Sequence, residues 1–291
     1  MKLATFSHSG RARVGLVHDD QVLDLVAAEP ELPTTLLELI AGGPDAIALV
    51  KRAAARTGYR LALRDVQLLA PIPRPGKVLA IGVNYADHIA EMGREKPEHP
   101  TVFNKQITCV TGPHAPIHLP RVSSALDYEC ELAFVIGRRC RHVPKERARE
   151  VIAGYCAMND VTVRDWQVHS PTWTIGKSFD THGPLGPWLT TADSVQDPHA
   201  LGLRTFVNGE PRQNSNTRNL VFNCFDLVAY LSTAFTLEPG DVISTGTPGG
   251  VAAAMKPPKW LVAGDVVRVE IDQLGVLENK VIAEPADSAL L

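Results

Sequence analysis

Carboxylates alternate with bulkier residues along Asp127-Tyr128-Glu129-Cys130-Glu131-Leu132, and the apolar run Ala133-Phe134-Val135-Ile136 follows at once. Read as a β-strand, the alternation sends Asp127, Glu129 and Glu131 to one face and Tyr128, Cys130 and Leu132 to the other. The apolar continuation draws the strand into a core. Three carboxylates side by side there repel one another and lose solvation unless a cation compensates. Oxygen ligands of this kind suit Mg²⁺, Mn²⁺ or Ca²⁺. A solvated acidic edge strand is the alternative, and this stretch alone leaves both open.

Partners for such a cation occur elsewhere. Asn159-Asp160 follows the apolar segment from Val151 to Met158, which puts Asp160 at the mouth of a predicted strand. Its other reading is a cap for a helical turn over 162–167. His88 and Glu91 are three apart in a predicted helix from Asn84 to Met92 and share one face. A carboxylate bonded to imidazole orients the ring and raises its basicity, which makes a general base near neutral pH. Gly82 and Gly93 flank this segment and could act as hinges of a lid. Lys177 stands alone among turn residues between Gly176 and Pro187, where it could hold a substrate carboxylate or a developing enolate. A glycine-rich turn runs from Ser244 to Gly250 and could offer N–H groups and hydroxyls to an anion, but it lacks the Walker spacing. No zinc spacing, Gly-x-Ser-x-Gly elbow or Rossmann fingerprint occurs.

The 291 residues carry a net charge of -3 with no long basic or acidic block, which speaks against nucleic acid or a membrane surface as partner. The amino terminus lacks the long apolar core of a signal peptide, so the cytoplasm is expected. Five cysteines, an odd number without a Cys-x-x-Cys pair, suggest buried thiols in a reducing compartment rather than disulfides or a zinc ribbon. Proline at alternate positions in Pro71-Ile72-Pro73-Arg74-Pro75 stops regular structure and marks the expected boundary between a small domain, 1–70, and a larger one, 71–291. The first is predicted to hold a hairpin over residues 14–25 and helices over 34–57, broken at Gly42-Gly43-Pro44. In the second, β signals dominate and do not alternate with long helices, so a doubly wound sheet is not expected.

Taken in order, these segments resemble the fumarylacetoacetate hydrolase family, as a bacterial-type member with an N-terminal accessory domain. The resemblance covers most of residues 77–282. It rests on Gly82 to His88 with Glu91, Phe103-Asn104-Lys105, Asp127 to Leu132, Gly154-Tyr155 leading to Asn159 through Gln167, Gly176 to Asp180, Gly183 to Pro187, Val207-Asn208-Gly209, Leu237 to Ile243 and Thr245 to Val251. It implies an α+β, mainly β fold: a mixed β-sandwich roll with a small N-terminal α/β domain, commonly a homodimer. It also implies one Mg²⁺ or Mn²⁺ per subunit held by Glu129, Glu131 and Asp160, with His88, Glu91 and Lys177 as the catalytic set. Gln167 and Thr247 match pocket positions of relatives, and Gly246, Asp127 and Tyr85 are further substrate-binding candidates.

The implied substrate has a 2-oxo acid end that chelates the metal, with charge on a pyruvate-like enolate met by the metal and Lys177. The first reading is a hydrolase cleaving a C–C bond in a 2,4-dioxo acid, either an acylpyruvate or a sugar-acid derivative, with His88 activating water. The second is an oxaloacetate-type decarboxylase, a tautomerase or a 2-hydroxyhepta-2,4-dienedioate-type isomerase on the same scaffold. A metal-binding protein without turnover is the reading from another class, and the presence of base and lysine argues against it.

Overall fold

The computed structural model describes residues 1–56 and 58–288. The apolar run after the acidic stretch does form a strand, Cys130–Ile136, and every residue in it is buried. Both of its faces meet a hydrophobic layer, which is why the run is apolar without interruption. Leu132, Phe134 and Ile136 share one core with Leu203, Val267, Val269, Ile271 and Leu277. Ala133 and Val135 share another with Leu36, Leu39, Ile40 and Val50. The edge-strand alternative is therefore excluded: strand Ile152–Asn159 pairs on one side and Val242–Ser244 on the other.

This strand lies inside a sheet of twelve strands among the described residues. The main path runs Arg60–Ala62, Gln21–Asp24, Arg11–His18, Lys2–His8, Gly183–Thr191, Ile152–Asn159, Cys130–Ile136, Val242–Ser244, Val78–Gly82 and Thr101–Lys105. A second sheet orders Glu210–Asn216, Gly202–Val207, Val266–Ile271, Gly275–Ala283 and Ile117–Leu119 and covers one face of the first. The helices Leu36–Ala41 and Gly43–Ala54 cover part of the other face. The fold is mixed and mainly β, as expected. The break between the two helices falls at Gly42 and Gly43, where Thr35 caps the first helix and Pro44 opens the second.

Two local expectations need correction. Asp127 does not continue the acidic strand: Leu126–Asp127 pairs with Thr162–Val163, and the sheet strand starts only at Cys130. The Asp127 carboxylate takes N–H groups from Tyr128, Ala252 and Ala253, and these bonds turn the chain out of register. Asp160 does not cap the following helical turn, Arg164–Gln167, which has no side-chain cap at all. No helix among the described residues is long and apolar enough to cross a membrane.

Candidate metal centre

The two central strands place the carboxylates. Glu131 is opposite Met158 in register and Cys130 opposite Asn159, so Asp160, one residue beyond its strand, arrives beside the glutamates. The Asp160 N–H donates to the Glu129 carbonyl at 2.9 Å, and Asn159 Oδ1 accepts from the Glu129 N–H at 3.0 Å. One oxygen from each of Glu129, Glu131 and Asp160 falls within 4.8 Å of the others, and all three residues are buried.

Cations close around this cluster. Lys177 Nζ lies 2.6 Å from Glu129 Oε2 and 2.8 Å from Asp160 Oδ2. Lys105 Nζ lies 2.6 Å from Asp160 Oδ1 and also donates to the Lys177 carbonyl. Arg164 spans Asp127 Oδ2 at 2.8 Å and Glu129 Oε1 at 2.7 Å. Glu131 Oε2 accepts from the Gly246 N–H at 2.9 Å and from the Ser244 hydroxyl, with no cation of its own in contact among the described residues.

The electrostatics follow from this asymmetry. Burial lifts the Glu131 carboxyl well above the usual carboxylate range, and Asp160 and Glu129 lift it further. Burial pushes Glu129 the same way, but Lys177 and Arg164 outweigh it and hold that carboxyl low. Burial opposes the charge on Lys177, yet Asp160 and Glu129 together raise its pKa and keep the ammonium protonated. Four carboxylates thus meet three cations in a dry site, leaving one negative charge uncompensated when all are ionised. A divalent cation would reverse that sign and leave the site attractive to an anionic ligand. Asp160 Oδ1, buried and lacking an aligned hydrogen bond, has a lone pair left for it. Glu129, Glu131 and Asp160 fit such an ion in number and in donor type.

The cluster opens into a cavity of about 160 Å³ whose lining includes His88, Arg94, Gln167, Lys177 and Thr247. His88 Nδ1 is 3.0 Å from Glu91 Oε2, and Glu91 Oε1 accepts from the Gly250 N–H at 3.0 Å. With Nδ1–H given to Glu91, the lone pair is on Nε2 of a ring that borders the cavity. Gln167 Oε1 accepts from Arg164 at 3.1 Å, leaving the Gln167 amide N–H groups for a ligand.

The remaining expected site residues stand further back. Gly246, at φ +96, supports Glu131 through its N–H, and a Cβ there would come within 2.7 Å of the Ile81 carbonyl. Asp127 acts on Glu129 through Arg164 and does not line the cavity. Tyr85 is fully buried in the core, with its hydroxyl unpartnered, and is also absent from the lining. Lys105 and Arg164 carry no expected role from the sequence, although they lie inside the segments Phe103 to Lys105 and Asn159 to Gln167. The signal for Lys105 was its phase: in Thr101–Lys105 it shares the buried side of the strand with Phe103.

The Fumarylacetoacetate (FAA) hydrolase C-terminal family matches residues 77–282, and the Rv2993c-like, N-terminal family matches residues 1–71. A mitochondrial oxaloacetate tautomerase of Xenopus laevis is 44% identical over 288 residues, covering 97% of this chain and 90% of its own. A fumarylacetoacetate hydrolase from Exiguobacterium antarcticum superposes with a TM-score of 0.85 at 37% identity, covering 98% of this chain and 100% of that one. A maleylpyruvate hydrolase from Sphingobium sp. SYK-6, solved with manganese(II) and pyruvate, gives a TM-score of 0.83 at 33% identity with the same coverage.

Proposed function

The chain belongs to the fumarylacetoacetate hydrolase family, and within it we propose a divalent-metal-dependent enzyme that moves the C3 proton of a short 2-oxo acid, interconverting keto and enol forms of an oxaloacetate-type substrate. The observation that carries this reading is the His88–Glu91 pair, which borders the same small cavity as the three carboxylates. A bound Mg²⁺ or Mn²⁺ would act as a Lewis acid toward the 2-oxo group and offset the carboxylate charge.

The chain's own residues supply the rest. His88 Nε2 accepts the proton from C3, and Glu91 steadies the imidazolium that results. The electron pair of the broken C3–H bond forms the C2=C3 double bond, and the carbonyl π pair moves to the 2-oxo oxygen, whose negative charge faces the Lys177 ammonium. The proton on His88 Nε2 is released to solvent, a solvent proton taken up at that oxygen completes the enol, and the reverse sequence returns the keto acid. Gln167 orients the carboxylate end through its amide N–H groups, while Thr247, whose hydroxyl is held by the Cys130 carbonyl and Gln213, shapes the cavity wall. A cavity of about 160 Å³ is well below the roughly 300–1,000 Å³ of pockets that take drug-sized ligands. It suits a four-carbon acid better than an extended acyl chain, which ranks an oxaloacetate-type substrate above a long 2,4-dioxo acid. The similarity to an oxaloacetate tautomerase points the same way.

Hydrolysis of a 2,4-dioxo acid is the second reading, favoured by the similarity to a maleylpyruvate hydrolase and by a base able to activate water. Both readings share the centre, so one experiment addresses both. Ketonisation of enol-oxaloacetate and release of pyruvate from acylpyruvates are followed with Mn²⁺ or with a chelator. Wild type with metal should accelerate the first, and Glu131→Gln should lose at least about a hundredfold of that rate. Wild-type activity in Glu131→Gln with chelator present would sink the metal mechanism, and pyruvate release without enol turnover would promote hydrolysis.

A further inference from the structure

Three cationic side chains line the cavity, and two of them are spoken for: Arg164 and Lys177 are both paired with carboxylates. The third, Arg94, is exposed and forms no salt bridge among the described residues. Its backbone, however, is fixed. The helix Ala86–Glu91 ends with Gly93 at φ +61, and the Gly93 N–H donates to the Ala90 carbonyl at 3.1 Å. The Arg94 N–H donates to the Ile89 carbonyl at 3.1 Å, and together these bonds make a Schellman closure. Gly93 is therefore a helix stop rather than the hinge its sequence position suggested, and it holds Arg94 in fixed relation to His88.

The cavity thus has a charge pattern along its length. The inner end carries the carboxylate cluster, with paired cations. The rim carries one guanidinium with no acid to answer it. We infer that Arg94 is a specificity-determining residue that binds a second, distal carboxylate, so that the enzyme selects 2-oxo diacids over 2-oxo monoacids. The inference rests on the proposed proton transfer at C3, which fixes the 2-oxo end at the cluster. A guanidinium suits this role because it presents parallel N–H donors to both oxygens of a carboxylate. Because the contact lies at the rim, it acts on binding and leaves the proton transfer itself intact.

The test compares oxaloacetate with 2-oxobutanoate, which has a methyl group where oxaloacetate has its distal carboxylate. Exchange of the C3 protons in D₂O is read by NMR for Mn²⁺-loaded wild type, Arg94→Ala and Arg94→Lys. Binding of oxaloacetate, and of oxalate as a probe of the inner end alone, is read by calorimetry on the same proteins. Arg94→Ala should raise KM and Kd for oxaloacetate about tenfold, the scale of one charge-assisted contact. Its kcat, its handling of 2-oxobutanoate and its oxalate affinity should stay at wild-type values, and Arg94→Lys should recover part of the loss. Equal losses on both acids, or unchanged oxaloacetate affinity, would overturn the role of Arg94. Arg94-dependent oxaloacetate binding without any C3 exchange in wild type would support that role and overturn the proposed reaction instead.

Discussion

Asp160 is gripped from both sides, by Lys105 at one oxygen and Lys177 at the other. Breaking a buried pair of this kind by removing one partner costs about 3–5 kcal/mol, since the survivor is left charged and dry. The two glutamates were legible in the sequence because strand alternation is local and their chemistry is shared. Lys105 was not, because a lysine reads as solvated by default, and only long-range pairing of its strand carries it inward. A second buried group beyond the cluster gives a test that needs no metal. His182 is fully buried; its Nε2–H donates to the His118 carbonyl at 2.8 Å while Nδ1 has no partner. Burial drives its pKa from 6.5 down to about 3. The unfolded chain takes up this proton below the ordinary imidazole value and the folded chain does not. Stability from this residue is therefore complete above that value and lost as pH falls from 6.5 toward 3. The loss approaches ~1.4 kcal/mol per pH unit at most. Urea unfolding of wild type and His182→Gln between pH 7 and pH 5 should show a flatter pH dependence in the variant by about 1 kcal/mol per unit. Parallel profiles would mean that His182 is not the titrating group.

At the level of elements, the helix Ala86–Glu91 and the glycine-rich turn after Val242–Ser244 act as one unit. Asp87 accepts N–H groups from His88 at 2.8 Å and Gly249 at 3.4 Å, and Glu91 accepts from Gly250. The helix was visible in the sequence, and so was the His88–Glu91 face. Its attachment was not, because a glycine that ends a helix and a glycine that hinges one look alike without coordinates. Gly82 misleads similarly: a Cβ there would fall 2.3 Å from the Trp173 ring, so close packing rather than hinge freedom explains it. The shared carboxylate of Glu91 separates orientation of the base from anchoring of the helix. Glu91→Gln keeps a carbonyl oxygen for Gly250 but removes the charge that steadies His88. It should lower C3 proton transfer about a hundredfold, within the usual range for a general base, while amide exchange at Gly249 and Gly250 stays slow. Glu91→Ala should lose the rate and, in addition, speed exchange at both glycines in mass-spectrometric hydrogen exchange. Full activity in Glu91→Gln would show that Glu91 anchors only.

Across the whole molecule, the expected boundary at the proline-rich segment separates two family matches, yet the main sheet does not stop there. Lys2–His8 pairs with Gly183–Thr191 through Lys2↔Thr190 and Leu3↔Leu189. Thr5 donates its hydroxyl to the Pro71 carbonyl at 2.7 Å. One core joins Leu3, Leu23, Leu36 and Val50 to Ala133, Val135, Leu185 and Leu189. Local sequence cannot show this, because strand partners nearly two hundred residues apart leave no periodic trace. We propose that residues 1–70 act as a structural layer of the catalytic sheet, shielding the back of the acidic strand, rather than as an independently folding appendage. Trp166, Trp173 and Trp260 lie in the larger part, whereas Trp188 packs on the cluster of Ala4, Phe6 and Leu68 and under Lys2, so the fluorescence of a Trp188→Phe variant reports the larger part alone. Far-ultraviolet circular dichroism also sees the smaller part, which holds the twelve-residue helix Gly43–Ala54. In urea the two signals should fall together in a single transition, as cooperative unfolding of a shared core demands. A fragment of residues 71–291 would expose Ala133, Val135, Leu185 and Leu189 on one sheet face and should aggregate rather than bind Mn²⁺. Separate transitions, or a soluble fragment that binds the metal with wild-type affinity, would show that the two parts fold independently and that the shared sheet is a docking contact.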